Sequence, residues 1–92
     1  MLTVIYHPKV RSDLRKVHSR HLAVIRDAIE TKLARSPKRY GKPLRSTLKN
    51  LRSLRIGNYR VVYAVKNREL IVLVLTIAKR DKVYEEAKKR LR

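Results

Sequence analysis

Ser53-Leu54-Arg55-Ile56-Gly57-Asn58-Tyr59-Arg60-Val61-Val62-Tyr63 is the stretch that decides the fold. Gly57-Asn58 is a tight-turn dipeptide of the kind hairpins use. The runs on either side are rich in β-branched and aromatic residues, and they predict one strand over Leu51 to Ile56 and its partner over Tyr59 to Val65. Such a pair holds arginines at fixed positions on a small apolar sheet. The hairpin lies inside Thr31 to Arg68, a segment with 12 Lys or Arg residues and no Asp or Glu. Cations held on rigid strands suit a polyphosphate ligand, so RNA or DNA is the first partner to consider.

Beyond the hairpin, Lys66-Asn67-Arg68-Glu69 reads as the next turn. Leu70 to Lys79 reads as a central strand, because both of its faces are hydrophobic over most of its length. Asp81 is the predicted cap of a short helix from Lys82 to about Arg92. On the other side, Lys38 to Asn50 is a cationic loop punctuated by Tyr40-Gly41 and Pro43. Ser36-Pro37 ends a helix, since a residue before proline avoids the α region. That helix has Ser19 as its predicted N-cap and Leu22, Ile25, Ile29 and Leu33 as its apolar face. Pro8 suits the first turn of an earlier helix, where Val10, Leu14 and Val17 make the stripe. Leu2 to Tyr6 is a short strand. The order β-α-α-β-β-β-α predicts a small α+β domain filling residues 1–92. Its expected sheet is antiparallel-rich with about four strands, an N-terminal helical hairpin on one face and a short C-terminal helix.

Ninety-two residues allow one modest core. With 25 basic and 7 acidic side chains, the formal charge is +18. Self-repulsion at that charge costs stability, and a polyanion relieves it. The alternative of a heat-adapted or merely soluble basic protein is less favoured, because ion-pair networks need both signs. The absence of cysteine excludes disulfides, thiol chemistry and cysteine-based zinc sites, and fits a reducing cytoplasm. The longest apolar run, Leu70 to Ala78 broken only by Thr76, is too short to span a bilayer. The N-terminus reads as a strand followed by charge, not as a signal peptide. The expectation is therefore a cytoplasmic protein with no membrane partner.

Gly41-Lys42-Pro43-Leu44-Arg45, Leu48 through Tyr63, Val74 through Arg80, and Val83-Tyr84 occur in an order that points to a family. The chain resembles the RelE/ParE superfamily of toxins from type II toxin–antitoxin systems. For the RelE branch, the resemblance implies an mRNA endonuclease acting in the ribosomal A site. The implied chemistry is metal-independent attack of a ribose 2′-OH on the adjacent phosphate, with no cofactor. It also implies the ribosome, mRNA and an acidic antitoxin as partners. The reaction needs a proton acceptor, stabilisation of charge on the phosphorane and a proton for the leaving oxygen.

Arg60 matches the family's strand arginine at the scissile phosphate, where a guanidinium binds oxygens in a fork. The structural alternative is pairing with an acid or lying over an apolar face. Arg80 matches the arginine after the last strand, assigned to charge stabilisation or leaving-group protonation; its alternative is pairing with Asp81. Arg55 matches another family cation or simply flanks a strand edge. Tyr84 matches a tyrosine that stacks on a splayed base, or it packs the last helix on the sheet. Arg45, Lys49, Arg52, Lys79 and Lys82 are the RNA-binding candidates. Tyr59 and Tyr63 share a face with Val61 and are read as packing residues. Tyr40 either stacks on RNA or closes the loop.

One departure from the family pattern concerns the base. RelE nucleases carry further cations two and four residues before the equivalent of Arg55, where this chain has Ser53 and Leu51. Arginine is a poor proton acceptor, which leaves Lys49, Lys79 and Lys82 as candidate bases. His7, His18 and His21 are read as solvated or capping residues, not as a metal site or an acid–base pair. Gly41 and Gly57 are the only glycines, so no glycine-rich phosphate loop exists. Two alternatives to the nuclease remain. One is a ParE-like DNA gyrase inhibitor, which needs no base; the other is a basic nucleic-acid-binding protein.

Overall fold

Gly57, at φ +59°, turns the predicted hairpin at the first central position of its turn, where the primed geometry needs the left-handed region. β3 (Arg52–Ile56) and β4 (Tyr59–Lys66) are antiparallel from Ile56–Tyr59 back to Arg52–Tyr63. The computed structural model describes residues 1–45, 48 and 50–91. The remaining elements are β1 (Thr3–Tyr6), α1 (Val10–Arg15), α2 (Ser19–Ala28), β2 (Lys42–Pro43), β5 (Ile71–Lys79) and α3 (Arg80–Arg90). A π-helical turn (Ile29–Leu33) continues α2, closed by a bond from the Ala34 N–H to the Ile29 carbonyl.

The sheet order is β1-β5-β4-β3-β2. β5 is central, as its two apolar faces predict, pairing parallel with β1 and antiparallel with β4. The sheet has five strands instead of about four, because Lys42–Pro43 pairs with Arg52–Ser53. Pro43 has no N–H to donate, which an edge position tolerates. One face carries the helical hairpin: Val10, Val17, Ile25, Ile29 and Leu33 pack on Leu54, Tyr59, Val61, Tyr63, Val72 and Val74. The other face carries α3, where Val83 and Ala87 meet Leu48, Leu51, Val62 and Leu75.

Two predicted helix starts shift, and the strands predicted from Leu2, Leu51 and Leu70 each begin one residue later. The N-cap of α2 is His18, not Ser19: the ring Nδ1 accepts the Arg20 N–H at 3.3 Å. α3 begins at Arg80 instead of Lys82. Asp81 then falls in its first turn, where a carboxylate favours the positive helix end without capping it.

A register break adds a feature absent from the sequence reading. Val62 pairs with Thr76 and Tyr63 with Val74, so Leu75 bulges out of the β4–β5 ladder. β1 has also ended, its last bond running from the His7 N–H to the Val74 carbonyl. Side chains take over along β5. Asp13 of α1 accepts the Ile77 N–H at 2.9 Å and the Thr76 hydroxyl at 3.2 Å. Arg90 of α3 donates to the Leu75 carbonyl at 2.9 Å and grips both Asp13 oxygens at 2.5 and 2.7 Å. The bond to Asp13 raises the Arg90 pKa above the ordinary arginine range, against an opposing effect of burial.

A second clamp fixes the loop before β2. The buried Tyr63 hydroxyl donates to the Pro37 carbonyl at 2.6 Å. Arg52 Nη2 donates to the carbonyls of Lys38 and Gly41 at 2.7 and 2.9 Å. Gly41 sits at φ +63° with its Cα against the Tyr63 hydroxyl, where a side chain would collide.

Candidate nucleic-acid interface

Directly opposed residues in antiparallel strands point to the same face. Arg55 of β3 faces Arg60 of β4, and Arg60 faces Ala78 of β5. Ala78 packs with the α3-side cluster, so this row lies on the α3 face. Tyr84 is half-buried against the same cluster. Arg80 lies four residues before Tyr84 and hence on the same side of the helix. The sheet face beside α3 thus carries Arg55 and Arg60 from the hairpin and Tyr84 from the helix, with Arg80 at the helix start.

These arginines are not consumed by internal pairing among the described residues. The ion pairs there are Arg90 with Asp13 and Glu86, and Lys89 with Glu86, all near the far end of α3. Arg55 makes one bond of its own, from Nε to the Gly57 carbonyl at 3.3 Å, within its turn.

The other candidates separate. Lys79 stands opposite Tyr59, whose ring belongs to the helical-hairpin core. Lys79 and Lys82 line a groove of about 730 Å³ between α1 and α3, together with Lys9, Lys16, Asp81 and Glu86. Ala78, the cross-strand partner of Arg60, lines the same groove, while Lys79 alternates onto the sheet face opposite Arg60. Arg52 points inward and holds loop carbonyls, so its guanidinium has a structural task. Arg45 is exposed, and Lys49 lies outside the described residues. Of the histidines, His7 and His18 accept backbone N–H groups two residues on, and the His21 ring lies 5.6 Å from that of Tyr59. Tyr40 closes the loop beneath Lys32 and Arg39, 5.6 and 5.9 Å from its ring centre.

The sequence reading passed over Asp13 and Arg90. Asp13 carried a signal, for it falls three residues after Val10 and four before Val17, inside an apolar stripe. Among the described residues, no helix is long and apolar enough to cross a membrane.

With this geometry in view, the comparisons with known proteins agree on one family. The family described as the ParE toxin of the type II toxin–antitoxin system parDE matches residues 4–84. Toxin RelG of Mycobacterium tuberculosis is 35% identical over 82 residues, covering 89% of this chain and 94% of the relative. Toxin RelE of the same organism is 38% identical over 72 residues, covering 78% and 74%. Among solved structures, the toxin–antitoxin complex RelBE2 from M. tuberculosis aligns with a TM-score of 0.81 at 35% identity, covering 86% of this chain and 98% of that one. Free E. coli toxin RelE, in a mutant form, aligns with a TM-score of 0.80 at 22% identity over 99% and 98%, a likeness of fold. The chain therefore belongs to the ParE toxin family of type II toxin–antitoxin systems, as a RelE-like toxin.

Proposed function

We propose that this toxin is a ribosome-dependent mRNA endonuclease whose charge stabilisation comes from Arg60, Arg55 and Arg80. The observation that carries this reading is the Arg55–Arg60 row, on the face of α3 and without an acidic partner among the described residues. In the reaction, the ribose 2′ oxygen attacks the adjacent phosphorus, a cyclic phosphate forms and the bond to the 5′ oxygen breaks. Arg60 and Arg55 bind the non-bridging oxygens as the phosphorane forms. Arg80 stabilises charge at the departing 5′ oxygen or protonates it. Tyr84 stacks on the displaced base, which is worth about 1–3 kcal/mol in comparable systems.

The solved toxin–antitoxin complexes among the relatives support an antitoxin as the second partner. An apolar cleft of about 620 Å³ between α1 and α2 is floored by Leu14, Leu22 and Ile25 and rimmed by Arg11, Arg15 and Arg26, with Glu30 as its one acidic lining residue. An acidic amphipathic segment fits that combination.

One observation favours a second reading. Lys79, one of the expected proton acceptors, alternates onto the sheet face opposite Arg60, and Lys82 lines the α1–α3 groove. A ParE-like gyrase poison needs no acceptor. A purified translation reaction separates the two: a nuclease shortens ribosome-bound mRNA, whereas a gyrase poison leaves it intact and traps cleaved supercoiled DNA. The nuclease reading expects Arg60→Ala to slow cleavage roughly 100- to 1,000-fold, as removal of one transition-state donor does elsewhere. Arg60→Ala and Arg80→Ala variants that fold yet arrest growth as strongly as the parent refute the site.

A further inference from the structure

We infer that Lys42 is a catalytic residue of this site and accepts the 2′-hydroxyl proton; the inference rests on the nuclease reading above. The pairing of β2 with β3 sets Lys42 directly opposite Ser53. Opposed residues share a face, and Ser53 in turn faces Val62, a member of the α3-side cluster. Leu44, two residues after Lys42, packs into the same cluster. Lys42 therefore points to the face that carries Arg60.

Two rows of side chains then cross this face. Lys42, Ser53, Val62 and Thr76 form one, and Arg55, Arg60 and Ala78 form the next. Residues two apart on a strand are separated by about 6.8 Å, so Lys42 is a diagonal neighbour of Arg55 and within reach of a long side chain. Ser53 brings only a hydroxymethyl group to its row, and Val62 and Thr76 are uncharged, so the row's charge comes from Lys42 alone. An amine without its proton accepts one from a hydroxyl, which a guanidinium cannot do. Lys42 thus offers the group that the arginine row lacks.

The backbone beneath Lys42 is rigid. Gly41 is seated against Tyr63, its carbonyl is held by Arg52, and the Leu44 N–H bonds the Leu51 carbonyl at 2.9 Å. A reacting group gains from such support, because small misplacements are expensive in rate. The side chain itself is exposed and bears no ion pair among the described residues, so it is free to meet a substrate. In the proposed step, Lys42 Nζ takes the proton as the 2′ oxygen bonds to phosphorus, and the 5′ oxygen leaves with a proton from water while Arg80 stabilises its developing charge.

The test uses the full chain with purified ribosomes and a message, over a range of pH. Single-turnover cleavage is measured for the parent, Lys42→Ala and Lys42→Arg. Binding to ribosomes that carry a message with a 2′-deoxy nucleotide at the cut site is measured in parallel. Removal of a general base costs roughly 100- to 10,000-fold, so Lys42→Ala slows cleavage by that factor and flattens its pH profile. Lys42→Arg restores binding but not rate. Either variant cutting within three-fold of the parent, or Lys42→Arg recovering full rate, overturns the inference while leaving the nuclease reading intact. A parent that leaves the message whole refutes the nuclease reading and this inference with it.

Discussion

Removing the Asp13 carboxylate breaks a place where side chains stand in for a strand. Asp13→Ala leaves the Arg90 guanidinium, 5% exposed in its side chain, with only the longer contact to Glu86 at 3.7 Å. It also strands the Ile77 N–H, which has no β1 partner to turn to. Breaking a buried pair by deleting one member costs about 3–5 kcal/mol. An orphaned buried donor costs about 1–3 kcal/mol, and the two costs overlap because one carboxylate serves both groups. A loss of about 4 kcal/mol is therefore the expectation. For a domain of this size it lowers Tm by roughly 15–30 °C. Asp13→Asn keeps one acceptor oxygen and falls between.

Urea and thermal unfolding at neutral pH measure these losses, and a double mutant separates pair from packing. Asp13→Leu with Arg90→Met removes both charges and leaves apolar bulk, so it is more stable than either single replacement. Arg90 has its pKa raised, so its contribution is complete below the ordinary arginine range and is lost only above it. Hence no moderate alkalinity mimics the mutation. A cost below about 1 kcal/mol for Asp13→Ala, against the range expected for a buried pair, refutes the reasoning. So does a double mutant as unstable as the sum of its parts.

Three further outcomes follow from the structure and are measured by the same unfolding assays. Gly41→Ala is more damaging than Gly57→Ala: both pay roughly 1–2 kcal/mol for the left-handed region, but only at Gly41 does the new carbon meet the Tyr63 hydroxyl. Tyr63→Phe costs about 1 kcal/mol through the lost bond to Pro37. It also removes an alkaline weakness: burial raises the Tyr63 pKa, so its contribution is full below about pH 10 and declines as pH climbs through the raised value, with Tyr6, also raised by burial, left to act in the same direction. Arg60→Ala changes stability by less than about 0.5 kcal/mol, whereas Arg52→Ala costs about 1.5–3 kcal/mol because its charged group bonds two carbonyls.

The parts of the fold legible in the sequence are those ruled by local chemistry. Gly57-Asn58 marks a turn whatever surrounds it, and the run from Ile71 to Ala78 is buried or half-buried on both faces, whereas Leu70, expected to start that strand, stands exposed in the preceding turn at φ +56°. The arginine row also follows from alternation along two strands once the turn is placed. What the sequence hid depends on contacts between distant segments. Nothing in Lys42-Pro43 says that it pairs with Arg52–Ser53, because two residues carry no periodicity. Lys79 looks like a partner of Arg60 from the cationic pattern alone, yet strand alternation turns it to the opposite face of the sheet, and Lys82 lines the α1–α3 groove. Arg52 looks like one more free cation, and only the fold reveals carbonyls within its reach. The bulge at Leu75 needs Asp13 and Arg90 together, groups 77 positions apart.

The placement of the few acids explains how so basic a chain can both fold and hold an anion. Of its 7 carboxylates, Asp13 and Glu86 gather around Arg90 at the C-terminal end of α3, where a buried guanidinium requires compensation. Asp81 faces the α1–α3 groove, and Asp27 and Glu30 lie on the helical hairpin. The stretch from Thr31 to Arg68, which supplies Lys42, Arg55 and Arg60, has none. A phosphate approaching that row meets no competing side-chain anion from its own strands, and the mutual repulsion of the arginines is relieved only when it arrives. The α3 helix is the meeting point of both arrangements. Its last turn is tied by the Asp13–Arg90 pair, and its first turn carries Arg80 and then Tyr84 to the arginine row. Stability and the candidate site are thus linked through one helix: on the proposed nuclease reading, loosening Arg90 at one end of α3 disturbs Arg80 and Tyr84 nearer the other, and an Asp13 variant that still folds is expected to cut more slowly than the parent in the purified translation reaction.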